Sequence, residues 1–267
     1  MTVRFWKALL ILFIFLMGMT ACGPKSAVPT STSPRAAELR SKGQLVVGTA
    51  VTAPFEYRDP NTGELIGFDV EVAQAIASYI GVPIVWKEMA FGDLLPALQN
   101  GQVDMVIAAM YITPQRQEIV AMSDGYVDTG LVMVTRVDMP QFTSDKDLIG
   151  RVVGVKEGAT GARYVHRLKD QGYDLIIQEY ATTQDSLEDL EKGFVDVALN
   201  DKINTLQYIK THPALKVNGP VLEPAQLGIA VRKEDTELLA IVNEVLSKLR
   251  SEGQLDALYR KWISSGP

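Results

Sequence analysis

Arg116 follows Thr113, Pro114 and Gln115. A threonine hydroxyl can cap a helix start, and a proline fits the first turn, where a missing N–H costs nothing. That places a guanidinium beside free backbone N–H groups, a setting that already favours an anion. A planar guanidinium there can grip a carboxylate through two parallel hydrogen bonds. It can equally be a solvated arginine on a helix surface. Asp201 stands just past the apolar run 195–199, at the carboxyl end of a buried strand, where ligands collect in open α/β sheets. An aspartate in that place can hold a ligand, cap the next helix, or do both. Gly158-Ala159-Thr160-Gly161 opens another helix, with glycines that allow close backbone approach and a threonine with a hydroxyl to offer. A plain capping turn has the same composition. Glu56, Glu88 and Glu157 are available carboxylates, but no spacing marks them for acid–base work. A single cysteine, Cys22, excludes an intrachain disulfide. The two histidines, His166 and His212, are far from other soft ligands, so no metal site and no cofactor are expected.

The elements that must position these groups alternate along the chain. Residues 45–47 form a short buried strand, and Phe68, Val72, Ile76 and Ile80 recur at helical spacing, with Asp69 placed to cap the helix and Gly81 and Pro83 to end it. Strands at 84–86 and 103–107 flank a helix through Leu94, Leu95 and Leu98. The same alternation restarts after Asp147, with strands at 152–155, 175–177 and 195–199 and helices at 160–168, 187–190 and 203–209. A strand at 228–231 and helices at 238–249 and 255–262 close the chain. Such alternation predicts an α/β protein with mixed sheets covered by helices, and its repetition predicts two lobes.

Ahead of these units, Arg4 and Lys7 precede the apolar run 8–17, and Thr20 and Ala21 lead into Cys22. A basic head, a short apolar stretch and small exit residues predict a cleaved export segment over 1–21, too short to remain in a bilayer. Met19-Thr20-Ala21-Cys22 resembles a bacterial lipobox, which makes Cys22 the candidate lipidation site and 22–41 a flexible tether rich in Pro, Ser and Thr. The net charge is −6, and without residues 1–21 the 24 basic and 32 acidic residues leave −8, which argues against nucleic acid as a partner.

Leu45-Val46-Val47-Gly48-Thr49, Pro54-Phe55-Glu56-Tyr57 and Gly67-Phe68-Asp69-Val70 resemble the opening of the polar amino-acid-binding proteins of ATP-binding-cassette importers. The segments 96–104 and 111–116, then Gly228-Ile229-Ala230-Val231-Arg232-Lys233 and Tyr259-Arg260-Lys261-Trp262, are similar to the same family, in order, over 44–263. The resemblance implies a two-lobed, periplasmic-binding-protein-like type II fold. Lobe 1 is then discontinuous (42–125 and 228–267), lobe 2 spans 131–222, and two hinge crossings lie at 126–130 and 223–227. It also implies a lipid-anchored monomer outside the cytoplasm, whose partners are a free amino acid and the permease subunits of an importer.

A free amino acid carries a carboxylate and an ammonium, and burying both requires a cationic donor and an anionic acceptor. By the resemblance, Arg116 clamps the carboxylate, Thr160 reaches it from the opposite lobe, Asp201 holds the ammonium and Phe91 packs on the ligand side chain. Ala109, Tyr111, Lys156 and Thr52 complete the implied site. The chain departs from the family in three places. It is one residue shorter between Thr49 and Pro54, with Ala50, Val51 and Thr52 where an aspartate and an aromatic are common. Tyr111 replaces a small hydroxyl residue, as though one aromatic wall had moved there, and Ala109 stands where glycine or serine is frequent. The missing aspartate and Lys156, which matches a lysine of glutamine-binding relatives, favour a neutral polar ligand, glutamine first. Catalysis is not expected. The alternatives on the same fold are a dehydratase, or a sensing or scaffold protein; the retained Arg116 and Asp201 argue against a scaffold.

Overall fold

The computed structural model describes residues 31–264; the expected export segment, Cys22 and the first part of the expected tether, 22–30, lie outside them. The end of that tether is corrected: Ser33 caps a helix over Pro34–Lys42 that buries Ala36 and Leu39 in the core, so residues 34–41 belong to the folded lobe. The first lobe opens with α1 (Pro34–Lys42), β1 (Leu45–Thr49), β2 (Tyr57–Arg58), β3 (Leu65–Ile66) and α2 (Phe68–Ile80). It continues through β4 (Ile84–Glu88), α3 (Leu94–Gln99), β5 (Met105–Val106), α4 (Pro114–Ile119) and β6 (Ala121–Met122). The long strand β7 (Val127–Arg136) carries the chain into the second lobe, where β8 (Val152–Lys156), α5 (Thr160–Asp170) and β9 (Ile176–Tyr180) follow. Next come α6 (Thr183–Lys192), β10 (Val197–Asp201), α7 (Lys202–Tyr208) and β11 (Leu215–Val217). The chain returns along β12 (Glu223–Leu227) to β13 (Ala230–Val231), α8 (Thr236–Ser251) and α9 (Gln254–Tyr259).

Both sheets are mixed. In the first, the order is β4-β1-β5-β13-β6, with β1 parallel to β4 and β5, and β13 antiparallel to its neighbours. In the second, the order is β11-β7-β10-β8-β9, with β8 parallel to β9 and β10, and β7 antiparallel to β10. β12 pairs antiparallel with the first half of β7, from Glu223 opposite Leu131 to Leu227 opposite Val127. Two paired strands are thus the link between lobes, the construction that hinge closure uses.

Burial explains the periodicities. All five residues of β1 are buried, as expected of a strand with helices on both faces. Helix α2 buries Phe68, Val72, Ala73, Ile76, Ala77 and Ile80, and ends at Gly81 in the left-handed region, φ 88°. Leu238, Ile241, Val242, Val245, Leu246 and Leu249 line the matching face of α8, which packs in the same core. The start of α2 corrects one expectation. Asp69 does not cap the helix; Gly67 is the N-cap, with no side-chain bond, and the Asp69 carboxylate turns instead to the Ala109 N–H at 2.7 Å and the Tyr126 hydroxyl at 2.8 Å. The competing donors won because they are buried and would otherwise be unpaired.

Gly67 has φ 135° and ψ −179°, and a Cβ there would sit 2.2 Å from the Phe55 carbonyl oxygen. That backbone region is open essentially to glycine alone. Gly67→Ala should therefore cost about 3 kcal/mol or more of stability, read from urea unfolding. A loss below about 1 kcal/mol would mean that this junction is soft.

Candidate ligand site between the lobes

The carboxyl ends of four parallel-paired strands supply the site. β1 leads to Thr52, β5 to Ala108, Ala109 and Tyr111, β8 ends in Lys156 and β10 in Asp201. A cleft, part of it open to solvent, lies where these ends meet, between the lobes. Its walls include Thr52, Phe91, Ala109, Tyr111 and Arg116 from the first lobe and Lys156, Thr160 and Asp201 from the second. All eight residues singled out in the sequence therefore face one space.

The lobes touch around it. The Tyr111 hydroxyl donates to Asp201 Oδ2 at 2.7 Å, Lys156 Nζ reaches Thr52 Oγ1 at 3.4 Å, and the Asn204 side-chain amide donates to the Ala53 carbonyl. Gly158, at φ 69°, lies so close to Gly92 that a Cβ would sit 2.9 Å from the Gly92 Cα. A side chain at position 158 is strained in any state and obstructs closure as well. Gly158→Ala should lower ligand affinity about tenfold or more, beyond its effect on the unliganded melting temperature. An unchanged affinity would show that the lobes need not meet here.

Arg116 is 3 % exposed. Thr113 Oγ1 accepts its backbone N–H at 3.3 Å, so the predicted cap forms, and Pro114 occupies the first turn. The guanidinium donates to the Tyr111 carbonyl at 2.8 Å and lies 5.3 Å from the centre of the Phe91 ring. It makes no ion pair among the described residues. Burial, reinforced by the positive charge of Arg163, pulls its pKa down to about 9. A buried cation in this state calls for an anion.

Asp201 caps the next helix and also lines the cavity. Oδ1 accepts the Asn204 N–H at 2.9 Å and caps α7, while Oδ2 accepts Tyr111 and, at 2.6 Å, the Thr129 hydroxyl. Burial raises its pKa, and these three hydrogen bonds oppose the rise. Its remaining lone pairs leave it able to accept from an ammonium.

Lys156 Nζ lies 4.3 Å from the Phe91 ring centre, so two cations stand over that ring. Burial lowers the Lys156 pKa to about 8; Arg116 adds to the fall, and the acids Glu56 and Asp201 oppose it. Glu56 is wholly buried behind the cavity wall, with neither carboxylate oxygen hydrogen-bonded. Burial first, and neighbouring Asp69 second, hold it well above the usual carboxylate range. Burial also raises Asp69, to about 6. The Asp69 carboxylate holds Ala109 in the left-handed region, φ 47°, a strained conformation for a residue with a Cβ.

Sequence reasoning missed several participants. Thr183, Asn200 and Leu131 also line the cavity, and Thr129, Asn204 and Asp69 orient the groups that do. Asn200 adjoins Asp201 and was within reach of inspection. Thr129 and Asp69 act through pairings 72 and 40 residues away in sequence, and no local pattern signals them.

Comparisons with known proteins agree with this architecture. Residues 45–265 match the bacterial extracellular solute-binding proteins, family 3. The arginine-binding extracellular protein ArtP of Bacillus subtilis (strain 168) is 30% identical over 97% of this chain and 98% of its own length. The glutamine-binding protein GlnH of an ABC transporter in the same strain is 28% identical over 98% of both chains. Holo ArgBP from T. maritima superposes with a TM-score of 0.76 at 36% identity, covering 85% of this chain and 98% of that one. With its two mixed sheets, paired crossing strands and interlobe cavity, the chain thus belongs to the bacterial extracellular solute-binding proteins of family 3, the non-enzymatic polar amino-acid-binding proteins of ATP-binding-cassette importers.

Proposed function

We propose that this protein captures a free, neutral polar amino acid, glutamine foremost, between its lobes and presents it to the permease of an importer, tethered to the outer face of the membrane by lipid on Cys22. Arg116 and Thr160 take the ligand carboxylate, Asp201 the ammonium, and Phe91 and Tyr111 flank the side chain.

The observation that carries the choice of ligand is Lys156. Lys156 lines the cavity, and the charge of the buried Glu56 acts on its ammonium. A carboxamide oxygen can accept from that ammonium, whereas a guanidinium would meet a like charge where screening is weak. Arginine is the second reading, favoured by the relatives, which are named for arginine more often than for glutamine, and by the unpaired carboxyl of Glu56. Titrating the refolded protein with glutamine and with arginine in parallel separates the two. Tighter glutamine binding supports the first reading, and tighter arginine binding replaces it with the second. For the anchor, labelled palmitate should enter the wild-type protein and not Cys22→Ser; label in neither would remove the lipid from the account.

A further inference from the structure

Arg163 stands one helical turn beyond Thr160 on α5, on the lobe opposite Arg116. Its half-buried guanidinium donates to Thr160 Oγ1 at 3.1 Å and to the Gly158 carbonyl at 3.3 Å. Arg167, one turn further along, is paired with Glu223 at 2.6 Å, but Arg163 makes no ion pair among the described residues. Its outer side faces a second, open hollow that shares Tyr111 and Thr160 with the ligand cavity.

A hydroxyl has one proton and two lone pairs. With one lone pair engaged by Arg163, the Thr160 proton is directed away from the guanidinium and is free to point into the ligand cavity that Thr160 lines. Engagement by a cation also polarises the O–H and makes it a better donor. The charge itself reaches across the cleft, since Arg163 is the main charged neighbour depressing Arg116. Two guanidinium groups, one from each lobe, thus repel each other across the cleft, and an anion bound there relieves that repulsion.

We infer that Arg163 is a positioning residue for the ligand carboxylate: it orients the Thr160 hydroxyl as a donor into the cleft and adds second-lobe positive charge opposite Arg116. The inference rests on the amino-acid reading given above.

A double-mutant cycle in the full-length protein tests it, using glutamine and arginine as the probes. Arg163→Met and Thr160→Val should each weaken binding of the tighter probe about tenfold. The double variant should be little weaker than either single one, because one hydrogen-bond chain is broken once. The unliganded melting temperature should stay near the wild-type value, a readout that a merely structural arginine would move. If Arg163→Met does not fold, Arg163→Gln carries the same cycle. Unchanged affinity in the Arg163 variant, or losses that multiply to about a hundredfold in the double, would overturn the inference while leaving the amino-acid reading intact. A wild-type protein that binds neither probe would overturn both.

Discussion

Arg116→Ala should remove amino-acid binding almost entirely, by at least about a hundredfold and with no comparable loss of fold stability. Breaking a buried charge pair by deleting one partner costs about 3–5 kcal/mol, and each 1.4 kcal/mol is about tenfold in affinity. The unliganded protein gives up little, because the guanidinium's own contacts are one backbone carbonyl and a ring face. Its depressed pKa says the same thing: in this setting the charge is tolerated rather than stabilised by the protein. Calorimetric titration checks the affinity, and thermal unfolding checks the fold. Binding within about tenfold of wild type would remove Arg116 from the site.

Lys156→Met should invert the preference among ligands. Two unit charges about 4 Å apart interact by about 4 kcal/mol at an effective dielectric constant near 20. Removing the ammonium should thus raise arginine affinity about a hundredfold or more, while glutamine loses about tenfold through a missing hydrogen bond. Glu56 strengthens the effect. At present its carboxyl is unpartnered and held high by burial and by Asp69, with Lys156 the nearby cation opposing that rise. Without Lys156, a ligand guanidinium becomes the one cation able to stabilise its charged form. Competition between the two amino acids for the variant reads this directly. If arginine binding stays weak in Lys156→Met, side-chain selection lies elsewhere in the cavity.

The parts of the fold visible in sequence are those set by local pattern. The run at 45–49 and the spacing of Phe68, Val72, Ile76 and Ile80 each reflect burial on a predictable face. The candidate site was legible because its residues stand at element ends: Arg116 behind the Thr113 cap, Asp201 at the close of β10, Thr160 at the start of α5. Three features were not legible. Asp69 in the first turn of α2 looks like a cap, and only the buried N–H of Ala109, 40 residues on, draws it away. Glu56 follows an exposed-looking Pro54-Phe55 turn, yet it is wholly buried, because the backbone of Thr52 pairs with it and folds that loop inward. Thr129, on the crossing strand, meets Asp201 solely through the antiparallel register of β7 and β10. In each case the decisive partner is distant in the chain, and side-chain chemistry alone does not specify it.

Helix caps and chain crossings also explain why the site is assembled from both lobes. β7 and β12 are the paired strands between them, and the Tyr111–Asp201 and Lys156–Thr52 hydrogen bonds join the lobes around the cavity. A ligand that bonds Arg116 on one side and Asp201 on the other gains most of its affinity when the lobes are together, which is the coupling that hinge closure requires.

Calorimetric titration of the protein with free glutamine, after unfolding and refolding to strip any carried-over ligand, tests the central claim most directly. The account predicts saturable one-to-one binding that Arg116→Ala abolishes. No heat with glutamine, arginine or any other free amino acid, from a refolded protein whose unfolding is cooperative, would contradict it.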